Sequence, residues 1–395
     1  MCSTKQAQWK QSARGLLLLG ILFWTTACGS GSGGASDTSA AKEPASSATG
    51  TTAVPLTKTA QAPVRYGKLT QQEVEKKMRI DKKEFRPILE LATLGPIIPG
   101  LHEQVIPQGL AYAPEQGWLV MSGYREKGGV SVLALLDAKS GLLLKSFELY
   151  EKNNKPYTGH AGGTAVTPGY VWIASGGEAR YLSIEALNKA EDGGRVVFEG
   201  SLKTGVRASN VAYEDGLLWV GEFAHGTEYP TDPSHHLRTR DGEEYRAWME
   251  GYEIEAQTGL PPQLAAGAEA PLPAAILSIP NRIQGMSLWK GHWILSDSFG
   301  RNSESTILFY ADPRKEAPHM KVKLGKETVP VWFLDNKAMM GKLDGPPMSE
   351  ELAVIEDSLH ILYESGAEKF ATSGSYAMDT MHVLDMNAVQ AKRVQ

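Results

Sequence analysis

Five polar residues stand at the heads of short apolar runs along the chain: Gln108, His160, Asn210, Gln284 and Glu351. A second polar set, Ser122, Tyr124, Ser175, Glu222, Asp297, Ser298 and Glu364, closes the apolar runs that follow. Amide, imidazole, phenol and guanidinium groups suit ligand binding, which assigns Gln108, Tyr124, His160, Asn210, Gln284 and Arg301 to that role. Glu351, Glu222 and Asp297 are the candidate catalytic carboxylates, because a carboxyl group poised in a concave site can have a shifted pKa and serve as acid or base. Arg301 lies in the tight stretch Asp297–Glu304, where a guanidinium can hold a carboxylate or phosphate bidentately or pair with Glu304 or a neighbouring element. The glycines flanking His160, at 159, 162 and 163, allow close backbone approach beside an imidazole that otherwise only hydrogen-bonds. The insertion from Ala224 to Glu244 carries His225, His235, His236, Arg238, Arg240 and Asp241, and is long enough to act as a lid. Glu222 with these histidines is acceptable zinc chemistry, but the spacing matches no strong metal signature.

No familiar motif names a reaction. The chain has no CxxC, no HExxH, no GxSxG elbow, no phosphate loop and no DxDxDG calcium loop, and His102-Glu103 lacks the second His of a zinc protease.

The elements that must position these residues recur. Each unit is a short strand, a turn and an aromatic-rich strand: Gln108–Pro114 with Gly117–Gly123, Gly163–Pro168 with Tyr170–Gly176, Asn210–Glu214 with Leu217–Phe223, Gln284–Trp289 with His292–Ser298, and Glu351–Glu356 with Leu359–Ser365. Turn residues such as Asp215-Gly216 and Lys290-Gly291 separate them, which is a hairpin signal. Third strands follow at Val130–Leu149, which turns through Ala138–Gly141 into a fourth, and at Ser305–Pro313. Four antiparallel strands repeated radially describe an all-β propeller blade. The expected fold is a β-propeller of five blades within a single domain over residues 67–395. Six blades, with an irregular one around 305–345, and a two-sheet sandwich are the alternatives. Blade five has a third strand at Met381–Met386 and no obvious fourth, so the run Phe85–Leu94 is expected to supply its outer strand, closing the ring and hiding an edge. The starts of first strands and ends of second strands lie on one face, so both polar sets converge at one channel mouth. Trp118, Trp172, Trp219 and Trp293 sit on second strands, where regular patterning fits packing between blades better than a sugar platform. Thr70 and Glu73 have capping-box spacing ahead of a short charged helix at about 71–80.

On these repeats, about residues 85–390, the chain resembles bacterial extracytoplasmic β-propellers of the broad YVTN, NHL, SMP-30-like and glutamine-cyclotransferase-like group. The resemblance is one of architecture. It implies no single activity, because these families share blades and differ in chemistry. SMP-30-like hydrolases hold a divalent metal with Glu, Asn and Asp near the channel mouth; by that resemblance Asn210 and Glu351 are the analogues, and a divalent cation is the cofactor to look for.

The N-terminal segment sets a location. Lys5, Lys10 and Arg14 precede a ten-residue apolar run, Gly15–Trp24, followed by Thr25-Thr26-Ala27 and Cys28, with no acidic residue before the cysteine. This is the layout of a signal peptide over residues 1–27, too short to span a bilayer. With Cys28 directly after the small residues, it resembles the lipobox of bacterial lipoproteins, which implies cleavage before Cys28 and lipidation of its thiol. Residues 29–64 contain 28 Gly, Ser, Ala, Thr or Pro among 36. Such composition cannot bury a core, so 28–66 is expected to be a disordered, lipid-anchored linker with a reach of roughly 30–36 Å. The expected setting is extracytoplasmic, on a bacterial membrane. Loss of Cys2 with the signal leaves no thiol for a disulfide. The formal charge of −5 becomes −8 once three basic residues and no acidic ones are removed, which excludes nucleic acid as an obvious partner. A monomer is expected. Two functions remain: binding of a small molecule, glycan or protein at the polar mouth, or metal-assisted hydrolysis or elimination at the same place.

Overall fold

The computed structural model describes residues 67–74, 83–267, 270–374 and 376–393. The export segment, Cys28, the linker and residues 75–80 of the expected helix lie outside the described residues. Residues 71–74 of that helix are not helical. The Thr70 hydroxyl donates to Glu103 at 2.6 Å rather than capping a helix.

The chain forms a five-bladed β-propeller, and each expected strand pair becomes the inner half of one blade. Blade one runs outward through Val105–Ala113, Trp118–Arg125, Val132–Asp137 and Leu143–Tyr150. Blade two uses Thr164–Thr167, Tyr170–Ser175, Glu178–Ser183 and Gly200–Lys203. Blade three uses Ala208–Glu214, Leu217–Glu222, Ala247–Glu253 and Ala275–Ile279. Blade four uses Ile283–Trp289, His292–Asp297, Ser305–Ala311 and Met339–Gly345. Blade five uses Ser349–Ile355, Ser358–Tyr363 and Thr380–Asp385, and is completed by the N-terminal strand Ala92–Ile97. That strand pairs antiparallel with Thr380–Asp385, Ala92 opposite Leu384 and Ile97 opposite Thr380.

The closing strand begins later than the run Phe85–Leu94 suggests. Pro87 sits at the start of a helical turn, Arg86–Leu89, where its missing N–H costs nothing. Phe85 and Ile88 are fully buried in that turn, and Phe85 meets Tyr376 edge-on at 5.6 Å. The irregular region 305–345 is no sixth blade. Its hairpin, Met320–Leu324 with Glu327–Phe333, leaves blade four and adds to the outer edge of blade three, pairing parallel with Ala275–Ile279. Blade two does the same to blade one, through Gly194–Val197 parallel to Leu143–Tyr150.

Turn chemistry explains the hairpins. Asp215-Gly216 and Lys290-Gly291 both have positive φ at each position, the twist that two-residue hairpins need. Apolar side chains cluster between neighbouring blades rather than at one centre. Trp172, Trp219 and Trp293 are fully buried there, and Trp118 is part-buried. Trp219 and Trp293 meet edge-to-face at 5.5 Å, and the Arg314 guanidinium lies 5.2 and 5.5 Å from their ring centres.

Candidate functional site

Every blade begins near the same channel mouth, and four of the five inner strands slip register there. The slips fall between Pro107 and Gly109, Ala208 and Asn210, Ile283 and Gly285, and Ser349 and Leu352. A bulge of this kind re-aims one side chain away from the ladder. Gln108, Ser209, Gln284 and Glu350 are thereby turned into one cavity of about 740 Å³. Blade two contributes His160 and Ser175 to the same cavity, and Tyr124 and Glu364 close it from second strands. Arg301, Arg207 and Lys369 stand in its wall with Phe223, Tyr229, Phe299 and Phe370.

The residue after each bulge does something different. Gly109, Gly163 and Gly285 occupy that place or its equivalent in three blades, and Asn210 and Glu351 occupy it in the other two. The two side chains fill the channel waist that the glycines leave open. A Cβ on Gly285 would lie 2.5 Å from the Glu351 Cα, and one on Gly163 would lie 2.6 Å from the Asn210 Cα. Both Asn210 and Glu351 are 0% exposed. Met286 N–H donates to Glu351 Oε1 at 2.6 Å, and Asn210 Nδ2 donates to the Ile283 carbonyl at 3.0 Å. Among the described residues Asn210 Oδ1 has no hydrogen-bond partner. Burial pushes the Glu351 carboxyl well above the usual carboxylate range, against the donors that favour its charge.

Of the candidate ligand-binding residues, Gln108, Tyr124, His160, Gln284 and Arg301 line the cavity, and Asn210 lies below it. The candidate carboxylates do not meet. Glu222 is buried beside His235, sharing a 2.7 Å hydrogen bond with its Nδ1 and accepting from the Trp248 N–H. Asp297 pairs with Arg282 at 3.0 Å, and burial raises its pKa. Ser122 bonds the Gly162 carbonyl at the start of blade two, and Ser298 bonds Ser305 within blade four.

The histidines of the insertion are also separate: His235 stacks on Trp248 at 3.9 Å, His225 packs over Phe299 at 3.9 Å, and His236 bonds Thr231. Among the described residues no group of three or more His, Cys, Asp or Glu is placed to hold a metal ion. The insertion is fastened rather than free. Arg240 grips Asp335 bidentately at 2.8 and 2.6 Å, and only Tyr229 of the insertion reaches the cavity.

Sequence reasoning missed Glu350, the neighbour of Glu351. Glu350 and Glu364 share a hydrogen bond at the cavity floor, and Gln108 Nε2 donates to Glu364 at 3.1 Å. Two carboxyl groups bonded to one another need a proton between them. Burial and the Glu364 charge hold Glu350 well above its usual range; burial pushes Glu364 up to about 7, while Gln108, Lys369 and Arg301 draw it down. His160, stacked obliquely on Tyr124 at 4.6 Å, is lowered to about 4 by its protein surroundings and by the Arg207 and Lys369 charges, so it is neutral at pH 7. Burial beside Glu364 and Glu350 keeps the Tyr124 phenol protonated. The floor is thus a pair of carboxyls raised above their usual range, while the wall is cationic.

No family model matches the chain, and no curated protein does. Among solved structures it is similar to a glutaminyl cyclase of Myxococcus xanthus, at 12% identity and a TM-score of 0.39, over 74% of this chain and 95% of that one. It is also similar to a GH43_1 enzyme from Xanthomonas citri, at 11% identity and a TM-score of 0.40, over 76% and 92% of the two chains. A third is a Thermus thermophilus protein described as a putative glucose dehydrogenase, at 11% identity and a TM-score of 0.33, over 74% and 99%.

Proposed function

We propose that the chain is an exported, membrane-tethered propeller that binds a small molecule or a short glycan in the mouth cavity. The observation that carries this reading is the cavity itself: about 740 Å³, walled by polar and aromatic side chains from all five blades. That size and mixture are usual for small-molecule sites. In four of the five blades a bulge turns one polar side chain into the cavity. The expected effect is that His160→Ala and Gln284→Ala keep the melting temperature while weakening the ligand carried by protein purified from its source, at least tenfold by native mass spectrometry or calorimetry. Equal affinity in both variants would remove the cavity from the function.

The setting rests on the signal-like N-terminus and on Cys28. Cys28→Ser is expected to move the protein from the membrane fraction to the soluble extracytoplasmic fraction. Retention of the variant in the membrane would refute the lipid anchor.

The second reading is a hydrolase or lyase at the same mouth. The Glu350–Glu364 pair favours it, because a shared proton near neutrality suits general acid and base work. A divalent cation, if one takes part, would have to use these carboxylates or the waist groups of Asn210 and Glu351. Turnover abolished by Glu364→Gln with ligand affinity retained would select this reading over pure binding.

A further inference from the structure

The charges around the cavity are unbalanced. Arg207, Arg301 and Lys369 line it, and among the described residues none of the three is ion-paired with a carboxylate. Arg301 Nη1 donates to the neutral Ser373 hydroxyl at 2.9 Å, and Arg301 and Lys369 each lie 4.9 Å from the Phe370 ring centre. Their field converges. Arg207 and Lys369 both act on His160, and Lys369 and Arg301 both act on Glu364. Against these three cations the floor offers two carboxyls that share a hydrogen bond, and so at most one negative charge while the proton stays between them. Like charges gathered around one concavity repel each other and concentrate counter-ions there.

Resting on the reading of this cavity as a binding site, we infer that its ligand is a small organic anion. Its carboxylate, phosphate or sulfonate group sits among Arg207, Arg301 and Lys369. Its flat or apolar body lies against Phe223, Phe299 and Phe370, and a hydroxyl or amine at the far end donates to Glu364. A planar guanidinium favours such oxyanions geometrically, and the cations stacked on Phe370 are held in place at little entropic cost. A neutral sugar would use the aromatic wall and leave three cations unanswered.

The test uses two dyes with the same aromatic body, 8-anilinonaphthalene-1-sulfonate and its uncharged counterpart N-phenyl-1-naphthylamine. The sulfonate is expected to bind at least tenfold more tightly, and to weaken as salt rises. Arg207→Gln with Lys369→Gln, both at exposed positions, should lower sulfonate affinity at least tenfold, leave the neutral dye unchanged, and keep the melting temperature. Benzoate and phenyl phosphate should displace the sulfonate, their ratio separating carboxylate from phosphate ligands, while benzyl alcohol should not. Equal binding of the two dyes, or sulfonate binding unaffected by the paired substitution, overturns the anion inference and leaves the cavity as a site for neutral ligands. If neither dye binds, the cavity is no ligand site, and the proposed function falls with the inference.

Discussion

Glu351 is an acid placed where water does not reach, at the narrowest point of a ring of five strands. Its Oε1 is held by the Met286 N–H at 2.6 Å and by the Leu352 N–H at 3.3 Å, and its backbone leaves no room for a methyl group on Gly285. The absent side chains of Gly163 and Gly285 and the present ones of Asn210 and Glu351 are therefore one packing solution. Gly285→Ala is expected to force the inner strands of blades four and five apart. The cost should be about 1–3 kcal/mol and a few degrees of melting temperature. Gln284→Ala, one residue earlier and facing the open cavity, should leave melting almost unchanged. Calorimetry of the two variants checks this, and similar losses would contradict the division between waist and cavity. The same one-residue offset explains what the residue types could and could not say. Strand alternation has a period of two, so the side chain that leads an apolar run and its neighbour face opposite ways. Gln108 and Gln284 are each followed by glycine, and they line the cavity. In blades three and five the glycine is replaced by Asn210 and Glu351, so the polar side chain adjacent to the run is the buried one. Aligning Gln108-Gly109 and Gln284-Gly285 with Ser209-Asn210 and Glu350-Glu351 would have exposed the offset.

At the scale of elements, the strand pairs were legible because each carries its own turn and its own alternation; Asp215-Gly216 and Lys290-Gly291 punctuate them without help from the rest of the fold. The closing strand was legible as an unpaired run but not in its bounds, since Pro87 makes Arg86–Leu89 helical and delays the strand to Ala92. The hairpin Met320–Phe333 was ambiguous for a physical reason. Its strands alternate like any others, and only a parallel partner from the preceding blade, Ile276 opposite Val331, decides that it widens blade three. The insertion after Ala224 was legible as an insertion, but its role depended on a partner 95 residues away, Asp335, which accepts from Arg240. The bulges had no local signal beyond the polar residue itself, because a register slip is a property of two strands.

At the scale of the molecule, the channel has a second opening beneath the waist, a cavity of about 280 Å³ where Glu214 accepts from the Leu288 N–H and the Ser287 hydroxyl. Burial pushes Glu214 up to about 7 despite these donors. The unfolded carboxyl titrates near 4.5, so between that pH and about 7 the folded chain holds a proton that the unfolded chain has released. Raising the pH through this window then favours unfolding, and the loss is complete above about 7. The full penalty is on the order of 3 kcal/mol. His382, lowered to about 4 by burial, acts in the opposite sense below pH 6.5, so the informative quantity is a difference between proteins. Glu214→Gln is expected to gain stability over the parent chain as pH rises from 5 to 8, with little difference at pH 4.5. Parallel melting curves for the two proteins across that range would contradict the assignment.

The pairing of Ala92–Ile97 with Thr380–Asp385 orders events in time as well as space. Thr93 and Val383 are 290 positions apart, yet they are neighbours in one sheet. A ribosome makes the first of these strands long before the second exists. Until Thr380–Asp385 emerges, that early segment has no hydrogen-bonding mate, and every blade waits in an unsealed arc. Such distant pairing is slow to form. A chain interrupted before Thr380–Asp385 would leave an open ring with two adhesive rims, which gives quality control a simple criterion for discarding it.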